Sequence, residues 1–143
     1  MTEERPVTRM ELLDGLAWVD ALLEAGWMRG ATQNWSSRGD RISLYPNLHC
    51  LIGAVLVAGQ QMTGEGHPWR GEVCRALERA LGEALVEAPE LMNEQFMKNL
   101  KHDLKRRHKH DLQCRLMRFN DEQVDVEPVR ALVQRAAARV GSK

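Results

Sequence analysis

The sequence has no hydrophobic run long enough to cross a membrane. Its longest apolar stretch, residues 48–58, is interrupted by His49 and falls far short of the roughly 20 residues that a bilayer crossing needs. The N-terminus is acidic and is not followed by the apolar segment of a secretory signal peptide. We therefore expect a cytoplasmic protein without a membrane partner.

Cysteines are few, and no two of them form a CxxC pair. The three, Cys50, Cys74 and Cys114, lie in segments that we predict to be helical. An odd number of cysteines without metal-type spacing suits a reducing compartment. We interpret each as a small buried hydrophobe and assign it no redox role.

The chain also lacks the short motifs that indicate catalysis. It has no Gly-rich phosphate loop, no nucleophile elbow, and no Ser or Cys with a local base and orienting group. We therefore predict no catalytic residue and no cofactor, and we favour a binding protein over an enzyme.

One stretch does concentrate groups that are able to ligate a metal. Residues 102–114 include His102, Asp103, His108, His110, Asp111 and Cys114. Zinc needs three or four ligands that converge in tetrahedral geometry, and no HExxH or CxxC pair supplies them here. We interpret the histidines as surface residues and predict no metal site. A metal-dependent hydrolase is the weakest of the functional hypotheses, after the two binding functions given below.

What the sequence does contain is the composition of one globular domain. It has 143 residues, of which 43% are hydrophobic and 28% are charged, which suits a single core. The apolar periodicity predicts an all-α fold, a compact bundle of about five helices. We expect one domain over residues 1–143 with disordered ends at 1–7 and 141–143, and a short β-hairpin at 31–45 is a plausible addition.

The first two helices have recognisable beginnings. Thr8 and Glu11 form a T-x-x-E capping box, and Gly26 follows the last apolar position of that helix. Asn47 is a good N-cap for a second helix over residues 48–60, which is apolar on almost every side.

Proline marks the start of the later helices. Pro68 opens a third helix that is expected to end near Leu85, and Pro89 opens a fourth helical stretch. The pattern leaves open whether residues 90–118 form one helix or two. A last helix is expected to begin between residues 125 and 128.

The charge distribution is uneven although the net charge is zero. Residues 1–97 contain 8 Lys and Arg against 14 Asp and Glu, whereas residues 98–118 contain 8 against 2. Candidate binding residues in this basic helix are Lys98, Lys101, Lys105, Arg106, Arg107, Lys109 and Arg115. Three interpretations stay open: a solvated face, an acidic protein partner, or a nucleic acid bound through its phosphates. No interleaved aromatic residue or helix-turn-helix motif supports the last.

Trp35 is the tryptophan for which burial is least assured. It lies in a polar segment, Gln33-Asn34-Trp35-Ser36-Ser37. Its indole would either pack within the loop or anchor a binding surface.

Four short patches resemble an uncharacterised family. They are residues 26–30 (GWMRG), 50–54 (CLIGA), 76–81 (ALERAL) and 119–121 (FND). In these patches the chain is similar to a domain of unknown function found in small proteins of actinobacteria and their phages, which usually has Trp where Phe119 stands. The resemblance implies no activity. It does imply that residues 90–115 are longer and more basic than is expected of the family.

Two interpretations apply to the polar residues within these patches. Asn120 and Asp121 follow a helix, where short polar side chains cap the next helix or tie a loop to a neighbouring backbone. Alternatively, Trp27, Arg29, Asn120 and Asp121 form a shallow polar pocket for a small ligand or a partner peptide.

The leading functional hypothesis is a small non-enzymatic accessory or inhibitory protein of bacterial or phage origin. It would dock on another protein through the Trp35 loop and the basic helix 98–118. The alternative is a nucleic-acid-binding regulator that uses the same basic helix.

Overall fold

Helices account for most of the regular structure in the computed structural model of the chain, which describes residues 6–29, 33–35, 41–43, 48–64, 70–106 and 109–142. The six α-helices in these ranges are α1 (Arg9–Ala25), α2 (Leu51–Thr63), α3 (Arg70–Val86), α4 (Glu94–Arg106), α5 (Lys109–Asp121) and α6 (Glu127–Gly141). The predicted all-α class is confirmed. The expected count of about five is one too low, because the fourth helical stretch is divided.

Two three-residue strands also occur among the described residues. β1 (Gln33–Trp35) pairs antiparallel with β2 (Arg41–Ser43), and Asn34 lies opposite Ile42. The predicted hairpin at 31–45 includes residues outside the described ranges, among them the connection at 36–40, and it stays a prediction.

The start of α1 follows directly from the capping box. The Thr8 hydroxyl accepts a 3.1 Å hydrogen bond from the Glu11 N–H, and the Glu11 carboxylate accepts a 3.0 Å bond from the Thr8 N–H. At the other end, Gly26 donates its N–H to the Leu22 carbonyl. Both predicted boundaries are confirmed, since a capping box satisfies otherwise unpaired N–H groups within a single turn.

The predicted start of α2 is wrong. The helix begins at Leu51, with Cys50 as the N-cap whose Sγ accepts a 3.3 Å bond from the Gly53 N–H. The reason is tertiary: His49 forms a parallel bridge with Trp27. The His49 N–H bonds to the carbonyl of residue 26 at 2.9 Å, and its carbonyl accepts from the N–H of residue 28 at 3.2 Å. Asn47, the predicted cap, lies outside the described residues.

The predicted start of the fourth helix at Pro89 is also wrong. Pro89–Leu91 form a single 3-10 turn, and α4 begins at Glu94. Asn93 caps α4, because its Oδ1 accepts a 2.8 Å bond from the Phe96 N–H. The side chain of Asn93 therefore sets a helix start that proline alone does not.

The contacts at Gly82 show that residues 90–118 do not form one helix. A Cβ at Gly82 would lie 3.1 Å from Leu104 Cδ2 on α4 and 2.9 Å from Leu112 Cδ1 on α5. In a continuous helix, eight residues separate side chains by about 12 Å along the axis. The two leucines meet the same glycine of α3 only because the chain divides into α4 and α5, which pack against each other and against α3.

The core lies between α1, α2, α3 and α6, with α4 and α5 extending it on one side. Val7 packs against this core, and α6 extends to Gly141.

Cys50 and Cys74 are buried as predicted, whereas Cys114 is exposed because it lies on the outward face of α5. In the described part of the chain, no helix has the length and apolarity needed to span a bilayer.

Candidate functional site

A hydrogen-bonded cluster centred on Asn120 joins three distant parts of the chain. The Asn120 Oδ1 accepts bonds from the Trp27 indole N–H at 2.7 Å and from the Leu51 N–H at 3.1 Å. Its Nδ2 donates to the Met28 carbonyl at 3.3 Å and to the Asp121 carboxylate at 3.2 Å. We call these residues, with Arg29, the Asn120 cluster.

The side-chain amide of Asn120 has no capacity left for another partner. It is fully buried, and a carboxamide offers two acceptor lone pairs and two donor hydrogens. All four are used by the bonds above. The amide thereby caps the first turn of α2 from the last turn of α5, and it holds the segment after α1 in place.

The structure brings together all four residues that were predicted to form a polar pocket. Arg29 closes the cluster from outside, since its Nε donates a 3.0 Å bond to the Asp121 carbonyl. Asn120, however, caps α2 and not the following helix α6. At the start of α6, the Asp125 carboxylate accepts a 3.0 Å hydrogen bond from the Glu127 N–H. Ligand binding by the Asn120 cluster stays a prediction.

His49 lies beside this cluster, and the sequence predicts no role for it. Its side chain is only 7% exposed, and its Nδ1 has no hydrogen-bond partner among the described residues. Burial lowers the pKa of the imidazole below its ordinary value of 6.5. No sequence pattern indicates this, because the burial depends on the bridge to Trp27.

The basic helix divides into two parts that differ in their contacts. On α4, the side chains of Lys98, Lys101, Lys105 and Arg106 are exposed, and none of them contacts a carboxylate in the part of the chain that the structure describes. The three lysines are spaced by three and four residues, so they share one face of the helix. We call these four residues the α4 cations.

On α5, by contrast, the arginines are engaged within the domain. Arg115 Nε donates a 2.7 Å bond to the Asp103 carboxylate, which is 4% exposed. Arg118 pairs with Glu122 at 3.5 Å and lies over the Phe96 ring. Arg115 thus holds α5 to α4, a role that a count of basic residues does not reveal.

The remaining candidate residues are only partly described. Trp35 lies in β1, and its side chain is outside the described residues, as are Arg107 and the side chain of Lys109. His102 and Cys114 are exposed, and within the described ranges no three His, Cys, Asp or Glu side chains converge as metal ligands. The prediction of no metal site therefore stays a prediction.

Comparison with known proteins places the chain in one family. The sequence model of DUF6197, described as a family of unknown function, matches residues 7–139. No curated protein and no solved structure matches the chain.

Proposed function

The chain belongs to the family of unknown function DUF6197, which brings no activity with it, and we propose that it is a small non-enzymatic protein that docks on an acidic surface of another protein. The α4 cations are the proposed contact surface. Trp35, on β1, is proposed as a second contact.

The observation that carries this proposal is the contrast between α4 and the other helices. Among the described residues, the arginines outside α4 that form ion pairs include Arg75, Arg79, Arg115, Arg118, Arg130, Arg135 and Arg139. The α4 cations have no such partner among the described residues. In the described part of the chain, the exposed face of α4 therefore carries like charges that have no ion-pair partner.

The lysines on this face repel one another. Like charges three or four residues apart destabilise a helix by about 0.2–0.5 kcal/mol per pair, and Lys98, Lys101 and Lys105 form two such pairs. An anionic partner would relieve this repulsion, and its attraction would speed association.

Two features favour a protein over a nucleic acid as that partner. The α4 cations span only about 12 Å of helix, and no Phe, Tyr or Trp lies among them for base stacking. The formal net charge of the chain is zero, so the molecule has no net positive field that would attract a duplex.

The setting proposed for this docking protein follows from the sequence resemblance. The patches at residues 26–30, 50–54 and 119–121 support a bacterial or phage origin, and the cysteine pattern supports the cytoplasm. An accessory or inhibitory role fits a chain of this size that has no catalytic motif.

The experiment is capture of proteins from a nuclease-treated bacterial lysate by three immobilised forms of the chain. Wild type and Lys98→Arg/Lys101→Arg/Lys105→Arg should retain the same protein at low salt, and Lys98→Glu/Lys101→Glu/Lys105→Glu should lose it. The arginine variant is the matched control, because it keeps the charge. Identical retention by all three forms would remove the α4 cations from the proposal.

A random DNA duplex tests the nucleic-acid alternative in the same three forms. If the α4 cations each neutralise one phosphate, the association constant should fall about 150-fold for a fourfold rise in salt. Binding with that salt dependence, lost in the glutamate variant, would replace the protein partner with a nucleic acid. Metal-dependent hydrolysis has no supporting cluster among the described side chains.

A further inference from the structure

The outward face of α1 forms a groove, and the α4 cations are not among the residues that line it. It has a volume of about 650 Å³ and lies beside the end of α2. The described residues that line it are Glu11, Asp14, Ala17, Trp18, Ala21 and Met62.

The middle of this groove is apolar, although it belongs to the solvent face of a helix. Asp14, Ala17, Trp18 and Ala21 follow the i, i+3, i+4, i+7 spacing of one helix face. Trp18 is 43% exposed, and the two alanines leave open space beside its ring. The core face of α1, with Leu16 and Val19, is separate and fully buried.

The carboxylates of α1 differ in whether this chain compensates them. Arg130 of α6 bonds to Asp20 at 2.8 Å and to Glu24 at 3.2 Å. Glu11 accepts the Thr8 N–H in the capping box. The Asp14 carboxylate is exposed and has no ion pair or hydrogen bond to any residue in the described ranges. The groove therefore combines an apolar centre with a carboxylate that lacks a cation.

We propose that this groove binds a basic amphipathic helix of a partner protein. One large apolar side chain of that helix would lie over Ala17 and Ala21, between Trp18 and Met62. A Lys or Arg one turn away would pair with Asp14. We expect the partner to be basic because its charge should complement that of the groove: the two charged residues among the described lining residues are both acidic.

A second copy of the chain fits the groove less well. The surface consists of part of one helix face and one methionine, whereas stable interfaces bury about 1,200–2,000 Å² in total. The exposed face of α4 cannot supply the occupant either, because its apolar residues, such as Phe96 and Leu100, are in the core.

The test uses a short synthetic helix with Leu on one face and Lys on the other, labelled for fluorescence anisotropy. Wild type should bind this peptide, and a matched peptide with Glu in place of Lys should not bind. Trp18→Ala should weaken binding by about tenfold or more, because exposed aromatic anchors dominate such interfaces. Asp14→Asn should weaken it by up to about fivefold, as expected for a partly exposed ion pair.

Two further variants separate the groove from general attraction to acidic protein. Ala21→Leu fills the groove from an exposed position, so it should abolish binding while the thermal unfolding midpoint is retained. Glu94→Gln removes an exposed carboxylate from α4 and should leave the affinity unchanged. Equal affinity for Trp18→Ala, Ala21→Leu and wild type would overturn the proposal. So would no binding by folded wild type, or a concentration-dependent dimer that Ala21→Leu disrupts.

Discussion

The indole N–H of Trp27 lies 2.7 Å from Oδ1 of Asn120, although 93 residues separate them in the chain. The same oxygen accepts the Leu51 N–H, 69 residues away from Asn120. One buried carboxamide thus ties the end of α1, the start of α2 and the end of α5 together. Its role can be tested through stability.

Asn120→Ala should lower the free energy of unfolding by about 2–4 kcal/mol. The substitution leaves the buried Leu51 N–H and the partly buried Trp27 indole N–H without an acceptor, and an unsatisfied buried donor costs about 1–3 kcal/mol. Urea denaturation measures the loss. Trp27→Phe, which removes one donor, should cost less than Asn120→Ala. Trp18→Phe is the control for Trp27→Phe, since the Trp18 side chain is 43% exposed. Equal stability of Asn120→Ala and wild type would contradict a structural role for the cluster.

Arg115→Met should destabilise the domain by about 2–4 kcal/mol, because it leaves the buried Asp103 carboxylate without a cation. A double variant, Asp103→Leu/Arg115→Met, should recover part of this loss, since no unpaired charge remains. Arg118→Met breaks an exposed pair with Glu122 and should cost at most about 1 kcal/mol. Chemical denaturation of the four proteins gives the comparison. An Arg115→Met loss no larger than that of Arg118→Met would return Arg115 to the surface-binding candidates.

The stability of the domain should decrease as the pH falls below about 6.5, partly through His49. Burial lowers the pKa of His49 in the folded chain, so the unfolded chain binds more protons in this range. Stability is therefore fully present above the unfolded pKa and is lost as the pH falls toward the folded one. Denaturation at about pH 7.5 and about pH 5.5 should show a smaller difference for His49→Leu than for wild type. His102→Gln, at an exposed position, should behave as wild type does. If the difference is equal in all three proteins, His49 does not carry the effect.

Gly82→Ala should destabilise the domain even though alanine is the better helix former by about 1 kcal/mol. The added methyl group would lie 2.9 Å from Leu112 Cδ1 and 3.1 Å from Leu104 Cδ2, so both buried leucine side chains would have to move in a packed core. Gly71→Ala is the matched control on the same helix, because its nearest neighbour is the flexible end of Arg75 at 3.4 Å. We expect a lower thermal midpoint for Gly82→Ala and an equal or higher one for Gly71→Ala. The reverse order would show that α4 and α5 do not meet at Gly82.

The sequence predicts those features whose causes are local. The Thr8–Glu11 capping box acts within one turn, and the apolar stripe of Leu16, Val19 and Leu23 needs only the helical period. The candidate site was partly predictable for a similar reason: Trp27, Arg29, Asn120 and Asp121 were grouped correctly. The acceptor role of Asn120 toward Leu51 was not, because nothing near Asn120 in sequence indicates a partner 69 residues away.

By itself, then, the sequence determined the all-α class, the extent of α1 and the location of the basic segment, since periodicity, capping and charge are properties of neighbouring residues. The tertiary structure alone decided where α2 begins, where residues 90–118 divide, and which cations stay exposed. Each of these depends on a contact between distant segments: the His49 bridge to Trp27, the approach of α4 and α5 to Gly82, and the pairing of Arg115 with Asp103.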